Sequence, residues 1–130
     1  LIQIAVGGFS MKRIIVDLDN TICFSEGDYK KALPNIPVIK QLDLYKSMGF
    51  EIIISTSRNM RTFGNNIGKI NIHTLPAIIN WLDSNNVAYD EVIVGKPWCG
   101  NDGFYVDDKS IRPDEFAQLT YEEILKLINN

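Results

Sequence analysis

The chain has 130 residues, 45% of them hydrophobic, which is enough for one compact domain with a real core and too few for two. Its 13 basic and 16 acidic residues leave a formal charge of −3, so no strong positive field is available to collect nucleic acid or an anionic membrane surface. Cys23 and Cys99 sit in no CxxC or Cys/His pattern, no apolar run approaches the roughly 20 residues that span a bilayer, and no export signal is visible; a cytoplasmic protein with a small-molecule partner is expected.

Residues 1–10 are mildly apolar, lack a basic leader, and run into Met11-Lys12-Arg13. They are expected to be an upstream remnant outside the fold, leaving residues 11–130 as a single domain. Ile14, Ile15, Val16 and Leu18, interrupted only by Asp17, read as a strand buried on both faces, as in a parallel sheet. After a polar stretch over residues 25–37, Ile39, Leu42, Tyr45 and Met48 recur at helical spacing and Gly49 supplies a stop. Glu51–Thr56 is a second buried strand. Residues 58–73 are rich in Asn and Gly without a clear period and read as a loop, a length that usually carries function.

Thr74 is placed to cap a helix bearing Ile78, Ile79 and Leu82, with Pro76 in its first turn. Glu91–Val94 reads as a third strand, and Phe104, Tyr105 and Val106 as a short fourth. Thr120 and Glu123 form a capping box that opens a last helix through Leu125 and Ile128. Alternating strands and helices predict an α/β fold, a three-layer Rossmann-like sandwich around a mostly parallel sheet, with chemistry at the carboxyl ends of the strands.

Each of those ends carries something reactive. Asp17, Asp19 and Thr21 follow the first strand, Thr56 closes the second, Lys96 follows the third, and Asp107 and Asp108 follow the fourth. Singly, each reads as well as a loop carboxylate or a turn hydroxyl; the ordered set is what carries weight. It resembles the haloacid dehalogenase superfamily, whose phosphatases carry four short motifs in this order. Asp17-Leu18-Asp19-Asn20-Thr21 is similar to the first motif, Thr56 to the second, Lys96 in Gly95-Lys96-Pro97 to the third, and Asp107-Asp108 to the fourth. Asn20 stands where Gly is common. The run from Gly27-Asp28-Tyr29 through Thr56-Ser57-Arg58-Asn59-Met60-Arg61-Thr62 is similar to a cap-less branch found with capsule and surface-polysaccharide genes.

The resemblance implies an HAD-like fold without a cap domain and a phosphatase. Asp17 would be nucleophile and metal ligand, and Asp19 would be general acid and base while lending its backbone carbonyl to the metal. Asp108 would be a direct ligand, Asp107 would orient Lys96 and the metal's waters, and Thr56 and Lys96 would hold the phosphoryl oxygens. The charge balance points the same way independently. Four carboxylates against one lysine cannot accept a phosphate dianion without a divalent cation, and carboxylate oxygens with water select Mg2+. Arg58 and Arg61 are candidates for binding a substrate phosphate or carboxylate.

His73, Trp98, Phe104 and Tyr105 read as structural, with Trp98 also placed to line the entrance. Neither stretch between motifs has room for a cap, so the site is expected to be open, accepting a bulky ester or closed by loops or by a neighbouring subunit in a homo-oligomer. The partner class is a small phosphorylated metabolite, a sugar phosphate or small polar alcohol phosphate. Two rivals are a receiver-like phosphoacceptor switch, disfavoured by the order of the motifs, and a catalytically idle scaffold in a polysaccharide pathway. A mutase would need a cap, and no P-loop sequence is present.

Overall fold

The computed structural model describes residues 11–129; the expectation for residues 1–10 lies outside them. The chain runs β1 (Arg13–Val16), β2 (Cys23–Phe24), a 3-10 turn (Tyr29–Lys31), β3 (Leu33–Pro34), α1 (Ile36–Ser47) and β4 (Glu51–Thr56). It continues through α2 (Ile67–His73), α3 (Leu75–Ser84), β5 (Glu91–Val94), α4 (Pro113–Gln118) and α5 (Tyr121–Ile128). This is an α/β fold around a parallel sheet ordered β1-β4-β5. Ile14 lies beside Ile52 and Val16 beside Ile54, while Ile54 lies beside Val92 and Thr56 beside Val94. Among the described residues no helix is long and apolar enough to cross a membrane.

Side chains alternate across a strand, so Ile52 and Ile54 face one way and Ile53 the other. The first face carries the main core. Ile52 and Ile54 pack with Val38, Ile39 and Leu42 of α1, Ile78 and Leu82 of α3, Phe116 of α4 and Ile124 of α5. The opposite face is more thinly covered. Ile53 and α2's Ile70 are fully buried, but Ile15, level with Ile53, is 60% exposed, and Ile93, level with Ser55, is 47% exposed. The first strand is therefore not buried on both faces; its continuous apolar run hides an uncovered side.

Three further sequence expectations fail. The segment read as a loop over residues 58–73 contains α2, whose N-cap Asn66 accepts a hydrogen bond from the Lys69 amide. Thr74 does not cap α3 with its side chain; its hydroxyl donates instead to Asn59 Oδ1 at 2.8 Å, tying the turn after β4 to the α2–α3 junction. Phe104, Tyr105 and Val106 form no strand among the described residues and are exposed. The Thr120 capping box forms as expected, with Thr120 Oγ1 accepting from the Glu123 amide.

An aromatic cluster fastens the helical layer: Tyr45 stacks on Phe116 at 5.3 Å and meets Phe50 edge-on at 5.2 Å. The Tyr45 hydroxyl is buried without a hydrogen-bond partner, a state that costs on the order of 1–3 kcal/mol. Tyr45→Phe should therefore leave stability unchanged or raise it by up to about 1 kcal/mol, read from the urea midpoint. A loss of that size would mean the hydroxyl is satisfied in solution.

Candidate active site

Asp17 comes directly after β1, and the chain then turns sharply, with the Thr21, Ile22 and Cys23 amides all donating to Leu18 O. Asn20 takes φ +60°, a left-handed conformation that Asn tolerates better than most side chains, which accounts for Asn where Gly is common. Asn35, at the start of α1, clamps the turn: its side-chain amide donates to Thr21 O at 2.9 Å and its backbone amide to Ile22 O at 2.7 Å. Between turn and helix, Cys23 pairs with Pro34 and Phe24 with Leu33 in a small antiparallel hairpin that sequence reading missed.

Lys96 follows β5, and its amide donates to Thr56 O at 3.1 Å, fixing the lysine against the end of the central strand. Its Nζ lies 3.6 Å from Asp17 Oδ1, and Thr21 Oγ1 lies 3.4 Å from Asp17 Oδ2. The Asp17 carboxyl is raised above the ordinary value of 3.8. Burial is the main cause and Asp19 adds to it, while Lys96 and the Leu18 amide pull the other way. The structure thus brings Asp17, Asp19, Thr21 and Lys96 to one end of the sheet.

Asp19 is held by Arg58, whose Nε donates to Oδ2 at 3.1 Å and whose Nη2 donates to Oδ1 at 2.7 Å, a two-pronged contact. The Arg58 side chain is only 6% exposed and lies over the Tyr29 ring at 4.1 Å. Neither a solvated loop residue nor a free anion receptor, it is engaged in orienting Asp19. Cys23, fully buried beside the pair, has its thiol pushed up to about 12, by burial first and by the Asp19 charge next, against the pull of Arg58. Thr56 is buried, and its Oγ1 accepts from the Arg58 amide at 3.1 Å, so this hydroxyl shapes the turn that launches Arg58. Sequence reading missed Tyr29 as a site residue, and its place in Gly27-Asp28-Tyr29 was the available signal.

A cleft of about 350 Å³ opens beside the carboxylates, lined by Asp19, Tyr29, Ser57, Arg58, Arg61 and Trp98 among others. Arg61, exposed, lies 5.9 Å from the Trp98 ring, and Trp98 is 41% exposed, an entrance residue and not a core one. His73 stacks on Phe63 at 5.6 Å, a structural role. Asp107 and Asp108 behave differently from the other motif residues. Both are exposed, the Asp107 Oδ1 is occupied by the Lys109 amide at 2.9 Å, and among the described residues no group of three or more His, Cys, Asp or Glu is gathered to hold a metal ion.

The crystal structure of an MCSG target from Vibrio cholerae is 57% identical, covering 92% of this chain and 98% of that one, with a TM-score of 0.90. The chain belongs to the same family as this Vibrio cholerae protein. A TM-score of 0.90 over that length means the two chains share one fold. Two chains from structures of the Pnkp1/Rnl/Hen1 RNA repair complex match at 21% and 18% identity, each with a TM-score of 0.51. They cover 91% and 94% of this chain but only 35% and 33% of their own length, a likeness of fold alone. No protein-family profile and no curated protein matches the chain.

Proposed function

We propose that this chain is a magnesium-dependent phosphohydrolase of the haloacid dehalogenase superfamily, with an HAD-like three-layer fold lacking a cap, cleaving a phosphate monoester through an aspartyl phosphate on Asp17. The observation that carries the reading is the meeting of Asp17, Asp19 and Lys96 at the carboxyl ends of parallel strands, with the Lys96 ammonium 3.6 Å from Asp17. A raised, partly buried carboxylate next to a fixed cation is the arrangement expected of a nucleophile that must meet a dianion.

In the first half-reaction an Asp17 oxygen attacks phosphorus, the ester P–O bond breaks, and the departing alkoxide takes a proton from Asp19. In the second, Asp19 removes a proton from water, whose oxygen attacks phosphorus; the Asp17 O–P bond breaks and inorganic phosphate leaves. Lys96 holds a phosphoryl oxygen throughout. Thr56 accepts its bond from Arg58 and so keeps its own proton for another phosphoryl oxygen. Because Arg58 engages both Asp19 oxygens, one of those contacts opens for each proton transfer. Arg58 therefore acts through Asp19, while Arg61 and Trp98, facing the cleft, are the residues to contact the rest of the ester.

Mg2+ would be held by the Asp17 carboxylate and the Asp19 carbonyl, all-oxygen donors that suit it, with Asp108 as further ligand and Asp107 beside it. It would supply positive charge between nucleophile and substrate; among the described residues of one copy the gathered carboxylates fall short of a full set. The cleft suits a sugar phosphate or small polar alcohol phosphate, in keeping with a cytoplasmic role in surface-polysaccharide synthesis.

The test is phosphate release from a panel of such esters. Repeated turnover with Mg2+ is expected, lost with chelator, restored by Mg2+ and not by Ca2+, which takes more ligands in looser geometry. A single stoichiometric phosphorylation without turnover would favour the receiver-like switch, no reaction at all the idle scaffold, and full activity in metal-free buffer would remove the metal.

A further inference from the structure

The sheet ends at β1, and among the described residues nothing pairs with its outer edge. Elsewhere on the same chain, Phe104, Tyr105 and Val106 have strand-forming side chains and no strand partner, with Phe104 80% and Val106 86% exposed. The segment is held outward. The Tyr105 hydroxyl donates to Pro97 O at 2.6 Å and accepts from the Cys99 amide, and its ring lies 4.3 Å from Lys96 Nζ. That anchor lies in the loop after β5, beside the Lys96 ammonium that is 3.6 Å from Asp17 Oδ1. Beyond the segment, α4 is fastened to α1, with Gln41 Nε2 donating to Phe116 O at 3.1 Å. Phe104 and Val106 thus face outward from a loop tied at both ends, with Asp107 and Asp108 directly after them.

We propose that a second copy of this chain receives this segment: Phe104, Tyr105 and Val106 of each subunit add to the free edge of β1 of the other. The acidic pair is thereby delivered to the partner's Asp17 and Asp19, and the site is shared between chains. A free strand edge and an exposed strand-forming segment are complementary halves of one contact, and a two-fold dimer uses both twice. Parallel pairing places Asp107 and Asp108 at the sheet end that carries Asp17. It also accounts for the shortage of gathered carboxylates among the described residues of a single copy and covers apolar surface that is otherwise left in water. The role given to the acidic pair rests on the phosphohydrolase reading; the contact itself does not.

Three measurements on the full chain decide it. Light scattering should give a dimer, and Val106→Pro, which removes a ladder amide, should give a folded monomer by circular dichroism. In a Cys99→Ser background, Ile15→Cys in one tagged chain and Val106→Cys in another should form a disulfide between chains, whatever the proline variant does. Asp17→Asn and Asp108→Asn, each inactive alone, should recover about one quarter of wild-type turnover when refolded together, because a mixed dimer of this symmetry rebuilds one intact site. A monomeric wild type, a folded Val106→Pro dimer, or no cross-link overturns the exchange. Active wild type without complementation overturns the sharing of the site and leaves the phosphohydrolase intact. An inactive wild type that still dimerises and cross-links overturns the phosphohydrolase and leaves the exchange.

Discussion

Asp17→Asn should lower phosphate release by at least about a thousandfold while leaving the protein as stable as wild type or more so at pH 7. The loss follows from removing the attacking oxygen's charge without changing the shape of the side chain. The stability follows from the titration of the native carboxyl, which lies above the ordinary 3.8 chiefly because burial disfavours the ion. The folded protein therefore binds this proton more tightly than the unfolded chain. The resulting stabilisation is fully present below the ordinary value and is lost as pH rises through the raised one. At neutral pH the ionised Asp17 works against the fold, held in place by Lys96 and the Leu18 amide. Asparagine removes that opposition. Thermal melts should show the variant's advantage at pH 7 shrinking or reversing near pH 3, where wild-type Asp17 is protonated. A tenth of wild-type activity in a clean preparation, or a variant that melts well below wild type at pH 7, would remove Asp17 from this role.

Much of this site was legible because its residues lie at the ends of strands whose apolar pattern is strong. Ile52, Ile53 and Ile54 could hardly be anything but a buried strand, and Thr56 and Arg58 follow from it by position. The elements that were missed are those whose sequence signal is weak or ambiguous. In α2 only Ile70 is buried, and Gly68 with the flanking asparagines imitates a loop. The β2–β3 hairpin is made of two-residue strands, one of them containing Pro34. The six-residue α4 buries Phe116 alone.

Phe104, Tyr105 and Val106 illustrate a different limit. Strand propensity records a side-chain preference for a pleated surface and carries no information about which edge will receive the strand. Reading them as the fourth strand of their own sheet assumed a partner that the described residues do not provide. Arg58 shows the converse. Its charge was visible in the sequence, but its burial and its two bonds to Asp19, 39 positions away, depend on tertiary contacts that no local pattern encodes.

Arg58→Met should destabilise the protein by about 3 kcal/mol, a fall in melting temperature on the order of 10 °C, because it strands a partly buried carboxylate. The Asp19 side chain is 24% exposed and so retains some hydration, which keeps the expected loss at the lower end for breaking an interior ion pair. Methionine keeps the length of the apolar stem but removes the guanidinium, whose carbon lies 4.1 Å over the Tyr29 ring, so the loss reports on the guanidinium's bonds to Asp19 together with that stacking. Asp19→Asn added to Arg58→Met should recover at least about 1 kcal/mol, since the amide needs no counter-charge. Arg58→Lys should recover less than half of the original loss, because a single ammonium cannot reach both Asp19 oxygens in the plane the guanidinium occupies. In turnover, a residue that positions Asp19 should change kcat with little change in KM, and more for alkyl than for aryl phosphates, whose better leaving groups need less proton assistance. If Arg58→Met instead raises KM for every ester and leaves stability unchanged, the guanidinium binds substrate directly, and its two bonds to Asp19 are a resting arrangement that the ester displaces.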